Sequence, residues 1–132
     1  MSEKSTNAEI RVDVNYANDL ITDIFKAKSC NDHEARTIAQ RLSGSNLVGH
    51  DSHGIARVPR YVEWMERGWV FPNLKPEVVI DAGAMGCLDA KQGFGQVAGE
   101  YAVDDGITRA KKHGVSVVGL RNSGHLGRIG DW

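Results

Sequence analysis

Val115-Ser116-Val117-Val118-Gly119-Leu120 runs through Arg121 into Asn122-Ser123-Gly124-His125-Leu126-Gly127-Arg128-Ile129-Gly130, a continuous apolar strand followed by a glycine-rich turn whose last residues can open a further helix. Backbone N–H groups at such glycines, next to a helix start, can hold a phosphate, with His125 and Arg128 as side-chain donors. An anionic cofactor is therefore a reasonable occupant. The spacing decides the fold. It is G-x-x-G-x-x-G, unlike the G-x-G-x-x-G of the Rossmann dinucleotide turn, and the chain ends before an acidic residue ~20 positions on could bind a ribose. The expected class is α/β (α+β) and non-Rossmann.

Upstream of that strand, Gly95 to His113 has a helical pattern with Ala98, Tyr101, Ala102, Ile107 and Ala110 available for burial, weakened slightly by Gly106. Before it, Val78-Val79-Ile80 and Cys87-Leu88-Asp89-Ala90 read as two short strands around Gly83 and Gly86, forming a hairpin or an adjacent pair. Gln92-Gly93-Phe94-Gly95-Gln96 joins the second strand to the helix, either as an ordinary turn or as a close backbone approach to a ligand. Pro72 and Pro76 bracket a turn.

The first half of the chain is helical. Leu20, Ile21, Ile24 and Phe25 recur at helical spacing, and Asn31 or Asp32 can cap a second helix through Ala35, Ile38, Ala39, Leu42 and Leu47. Pro59 suits the first turn of a third helix, with Tyr61, Val62, Trp64 and Met65 as its apolar face before Gly68 stops it. N-terminal helices, short strands and a long helix follow one another with no repeat and no linker. The chain then stops at Trp132, where a newly opened helix has no body to bury, so a truncated or processed chain is expected.

At 132 residues the chain can bury a core as one domain without staples. Its 16 basic and 17 acidic side chains give a net charge of -1 and no cationic field for nucleic acid or an anionic membrane. Cys30 and Cys87 are far apart and outside any C-x-x-C spacing, which suggests two buried free thiols. Met1 to Val14 lacks the apolar run of a secretory signal, and no segment approaches the ~20 apolar residues of a membrane span. A cytoplasmic protein is expected.

The chemistry concentrates in Asp51-Ser52-His53-Gly54 and Arg57. An imidazole exchanges a proton near neutral pH, and a forked guanidinium holds a carboxylate by two parallel hydrogen bonds. The set suits work on a small keto or hydroxy acid. Taken alone, the same residues also suit a capped, solvated loop with a surface arginine. His50 and His53 with Asp51 permit a metal-site reading, although two glycines make the segment a poor helix. No G-x-S-x-G elbow, Walker loop or H-E-x-x-H is present, and adjacent Ser52 and His53 do not make a hydrolase triad.

Asp51-Ser52-His53-Gly54-Ile55-Ala56-Arg57-Val58-Pro59-Arg60-Tyr61 and Asn122 to Gly130 resemble the type 2 malate/L-lactate dehydrogenases, a family that also includes sulfolactate, ureidoglycolate and diketogulonate dehydrogenases. The resemblance spans nearly the whole chain, including the opening helices, the turn after Trp69 and the Gly93-Phe94-Gly95 cluster. It implies NAD- or NADP-dependent interconversion of a 2-hydroxy acid and its 2-keto acid by a cytoplasmic homodimer or larger homo-oligomer. Residues 1–132 would be the N-terminal portion of a single malate/L-lactate dehydrogenase-like domain.

By matching positions, the resemblance makes His53 the proton donor to the carbonyl oxygen, Ser52 its relay partner and Arg57 the clamp on the substrate carboxylate. His125, Leu126, Gly127, Arg128 and Ile129 match the stretch that contacts the nicotinamide cofactor, and no metal is implied. Members of the family are more than twice as long, with a relay aspartate, a substrate-contacting threonine and most of the cofactor pocket downstream. The 132 residues alone are thus expected to have little or no activity. The alternative is a non-catalytic ligand-binding or assembly fragment that pairs through an apolar face.

Overall fold

A computed structural model describes residues 10–131; the first nine residues of the polar leader and Trp132 lie outside the described residues. Helix α1 (Val14–Ala27) starts where the Asp13 carboxylate accepts from the N–H groups of Asn15 at 2.9 Å and Tyr16 at 3.0 Å. Helix α2 (Asp32–Leu47) is capped by Asn31, the first of the two candidates, whose Oδ1 accepts from Glu34 N at 2.9 Å. Each cap satisfies N–H groups that a helix start otherwise leaves without a partner.

The two helices bury Ile21 and Phe25 against Ala35, Ile38, Ala39 and Leu42. Leu20 and Leu47, expected on the apolar faces, are instead exposed. Helix α3 (Val58–Glu66) has Pro59 in its first turn and brings Tyr61 into the same core, with Gly68 beyond its end at φ +67°. Phe94, from the segment before the long helix, completes the cluster at 5.7 Å from Phe25, edge to face.

Strands β1 (Glu77–Ala82) and β2 (Met85–Asp89) form the expected hairpin, and β2 pairs in parallel with β3 (Val117–Arg121), giving the order β1-β2-β3. Helix α4 (Gly95–His113) makes the crossover and ends at Gly114 in a left-handed conformation, φ +81°. Two expectations need correction here. The strand read over Val115 to Leu120 starts two residues later: β3 begins at Val117 and alternates, with Val118 and Leu120 half-buried and Val117 and Gly119 exposed. On α4, Ile107 is exposed and the sheet-facing position belongs to buried Arg109. The Arg109 guanidinium donates to Asp81 at 2.6 Å, Asp105 at 2.6 Å and the carbonyl of Gly83 at 2.8 Å, so hairpin and helix are joined by a polar clasp where apolar packing was expected.

Candidate functional site

Helix α2 ends at Leu47, Gly49 takes φ +76°, and the chain continues as two 3-10 turns, Asp51–His53 and Ile55–Arg57, joined at Gly54. The Asn46 carboxamide fixes this path. Its Oδ1 accepts from Ile55 N at 2.8 Å and its Nδ2 donates to Asp51 Oδ1 at 2.6 Å. A β-carbon on Gly54 would overlap that carboxamide, so only glycine allows so close an approach.

This path brings the sequence-derived residues together. Ser52 Oγ lies 3.0 Å from His53 Nδ1, and Arg57 Nε donates to the Ser52 carbonyl at 2.7 Å. The bond to Ser52 uses Nε only. The His53 ring lies 4.3 Å from that of His50 and 5.0 Å from that of His125. His125 therefore arrives from the glycine-rich turn to face His53, although 72 positions separate the two in the sequence.

The turn is held at that place by glycines. A β-carbon on Gly95 would overlap the carbonyls of Gly124 and His125, and Gly124 N donates to the Gly93 carbonyl at 2.8 Å. The close approach read from Gly93-Phe94-Gly95 is thus one backbone meeting another. It also alters the phosphate-cradle reading, since the Gly124 N–H is already engaged. Within the described residues Ile129–Asp131 is a 3-10 turn and no longer helix, with Arg128 Nη2 donating to Asp131 Oδ1 at 2.6 Å. Leu126, Gly127 and Arg128 are half-buried beside His125, while Ile129 is exposed.

Three residues of the cluster were not singled out as functional from sequence: Tyr61, Gln96 and Asn46. Tyr61 Oη lies 2.7 Å from His125 Nδ1 and accepts from Gln96 Nε2 at 2.6 Å. A signal for Tyr61 existed, because His53, Arg57 and Tyr61 recur every four residues, the spacing of one helical face. Gln96 and Asn46 carried no comparable mark.

Burial lowers the pKa of His53, helped by the charges of His50, Arg57 and Arg128. His125 is lowered by burial and then by Arg57 and His53. Burial raises the Tyr61 phenol, opposed by the Gln96 bond and by Arg57. Arg57 acts on all three groups and so stands at the centre of the cluster. The shifts favour the neutral form of both imidazoles and of the phenol, with Arg57 the cation common to all three. Among the described residues no group of three or more His, Cys, Asp or Glu side chains is placed to hold a metal, so His50 and His53 find no third ligand.

A family model described as malate/L-lactate dehydrogenase matches residues 12–132. Hydroxycarboxylate dehydrogenase B of Escherichia coli (strain K12) is 40% identical over 122 residues, which are 92% of this chain and 34% of that protein. L-sulfolactate dehydrogenase of Methanocaldococcus jannaschii is 34% identical over 84% of this chain and 32% of its own length. The structure of malate dehydrogenase from Pyrococcus horikoshii OT3 superposes with a TM-score of 0.85 at 31% identity, covering 96% of this chain and 37% of that one. The chain spans about a third of the length of the curated relatives it matches.

Proposed function

The chain belongs to the malate/L-lactate dehydrogenase family, and from that premise we propose that it supplies the acid-binding half of a site that interconverts a 2-hydroxy acid, such as malate or lactate, and its 2-keto acid. The observation that carries the reading is the convergence of His53, with Ser52 Oγ at 3.0 Å from its Nδ1, on His125 and on the charge of Arg57. With Nδ1 engaged by Ser52, His53 meets the substrate through Nε2. Arg57 receives the carboxylate at the opposite end and sets the direction of the carbonyl.

NAD or NADP, when bound, supplies or accepts the hydride at the substrate carbon. His125, Leu126, Gly127, Arg128 and Ile129 would hold the nicotinamide end. The half-buried stretch Leu126 to Arg128, which follows His125, suits a flat ring, and Gly127 at φ +75° carries no side chain to obstruct it. As the carbonyl carbon gains its new C–H bond, the electron pair of the C=O bond moves to oxygen. His53 Nε2 then gives up its proton to complete the hydroxyl. In the reverse direction neutral His53 accepts that proton. A bound carboxylate offsets the charge of Arg57, one of the influences that keep His53 neutral, so substrate binding itself favours the protonated acid.

In a protein of the relatives' length, His53→Ala should lower turnover by about 10²–10⁴-fold, the contribution of one positioned acid-base group. Arg57→Ala should also raise KM for the acid. Unchanged kinetics in either variant removes that residue from its role. The 132 residues alone are expected to oxidise NADH and NADPH negligibly with pyruvate or oxaloacetate, and steady turnover by them would contradict that expectation.

A cytoplasmic setting is supported by two free thiols, Cys30, which is buried as expected, and Cys87, which is only half-buried; among the described residues no helix is long and apolar enough to cross a membrane. A second reading, a non-catalytic assembly fragment, is favoured by one observation: Ile80, Met85 and Val117 expose a shared apolar sheet face. Homodimers or larger homo-oligomers that form through this face without binding NADH, measured by mass photometry and titration calorimetry, would support it over the first.

A further inference from the structure

Gln96 is fully buried behind the site, and its Oε1 has no hydrogen-bond partner among the described residues. A buried amide left half-satisfied is costly to keep where Leu or Met would pack. What it does lies at its other end. Gln96 Nε2 donates to Tyr61 Oη at 2.6 Å, and the same oxygen lies 2.7 Å from His125 Nδ1.

A phenol has one proton to give and two neighbours here. The amide nitrogen has no lone pair to offer, so the Tyr61 oxygen accepts from Gln96 and its proton is left for His125. A ring nitrogen that accepts carries no proton of its own, and the proton of neutral His125 must then sit on Nε2. The opposite wiring, with His125 Nδ1–H donating to the phenol oxygen, needs another acceptor for the Tyr61 proton, either Oε1 of a reversed Gln96 amide or a site with no partner among the described residues. That arrangement joins a weaker donor to a weaker acceptor, since phenol is the more acidic N–H or O–H group of the pair and imidazole nitrogen the more basic acceptor. Burial favours the neutral form of both groups, as this requires.

We propose that Gln96 is a positioning residue: through Tyr61 it fixes His125 as the Nε2–H tautomer, a neutral hydrogen-bond donor held beside His53 and Arg57. Resting on the dehydrogenase reading, this gives the site two kinds of donor for the oxygens of a bound acid. Arg57 donates from a guanidinium, and His125 donates from one nitrogen of an imidazole whose neutral form burial favours. His53 is then left as the group that changes protonation. The division matters because two imidazoles 5.0 Å apart would otherwise compete for one proton.

The test reads the imidazole nitrogens of the isotope-labelled 132-residue chain by two-bond nitrogen–proton correlation NMR at neutral pH. His125 should show a bare Nδ1 and a protonated Nε2. Gln96→Glu places an acceptor against Tyr61, which must then turn its proton away from His125, so the tautomer should swap to Nδ1–H. Gln96→Met removes the donor and should give a mixture of the two tautomers. A proton on Nδ1 in the parent chain overturns the proposal, as does an unchanged tautomer in both folded variants. Should neither variant fold, the parent spectrum alone still decides. No turnover is involved in this readout: unchanged kinetics of His53→Ala in a protein of the relatives' length together with the Nε2–H form in this chain would cost the dehydrogenase reading and keep this one, and the reverse result would do the opposite.

Discussion

The helices and the sheet both carry large apolar side chains, and these end in opposite states. Phe25 and Ile38 in α1 and α2 are 0% exposed, whereas Ile80, Met85 and Val117 in the sheet are 57%, 57% and 63% exposed. The strand register puts those three with Cys87 on one face, while Gly86 and Leu88 on the other face turn toward α4. The chain closes its helical core from its own residues and covers only one side of its sheet. The site is built on the closed half. Tyr61 belongs to the helical core, 6.3 Å from Phe25 ring to ring, and carries His125 on its hydroxyl. The geometry around His53 is therefore set independently of whatever meets the open sheet face.

The largest effect should come from breaking the closed half. Phe25→Ala removes a ring that contacts both Tyr61 and Phe94, and should cost about 3–5 kcal/mol in denaturant unfolding. Because the lost contact lies directly beneath Tyr61, the His125 ring resonances should move as well. A loss below about 1 kcal/mol, or an unmoved His125, would mean that the helical core does not support the site.

Gly95→Ala strikes the contact that holds the turn and should cost about 1–3 kcal/mol, the range for forcing an extra methyl into a packed position. Unlike Phe25→Ala, it should separate His125 from Tyr61 while leaving α1 and α2 protected from hydrogen exchange. Equal loss of protection in both places would show that turn and helical core unfold as one unit.

Much of this was legible in the sequence, and the gaps have physical causes. Caps, proline positions and apolar spacing mark all four helices, because those signals act within one turn of backbone. The short contact from Ser52 to His53 and the nearness of Arg57 follow from adjacency. The partners of His125 did not follow. Tyr61 reads as a core residue because it is one, and nothing local reports that its hydroxyl meets an imidazole 64 positions away. Arg109 was missed for a similar reason: a helix position beside apolar residues gives no warning that two hairpin carbonyls and the Asp81 carboxylate wait opposite it. The exposed β3 face was not legible because an unbroken apolar run looks the same whether one side of a strand is covered or both.

A pH experiment sharpens the contrast from within the helical half. Glu34 is buried, and burial raises its carboxyl pKa even though Oε2 accepts from Asn73 N at 2.7 Å. The folded state thus binds this proton more tightly than the unfolded chain does. The associated stability is fully present below the ordinary carboxylate value of 4.5 and is lost as pH rises through the higher folded value. Glu34→Gln keeps an acceptor for Asn73 without the charge. It should flatten the fall in denaturant midpoint over that window, and a slope identical to that of the parent would remove Glu34 as its cause.

The smallest effect belongs to the open face. Ile80→Ser and Val117→Thr each replace a side chain that is already more than half in water, so each should change unfolding stability by no more than about 0.5 kcal/mol. That near-neutrality is informative only beside Phe25→Ala: two apolar residues of similar hydrophobicity separate by several-fold in cost because one has left water and the other has not. If Ile80→Ser instead proves as costly as a core truncation in dilute chain, and the cost falls on dilution, the sheet face is covered in solution by a second copy, and the division between a closed half and an open one holds only for the monomer.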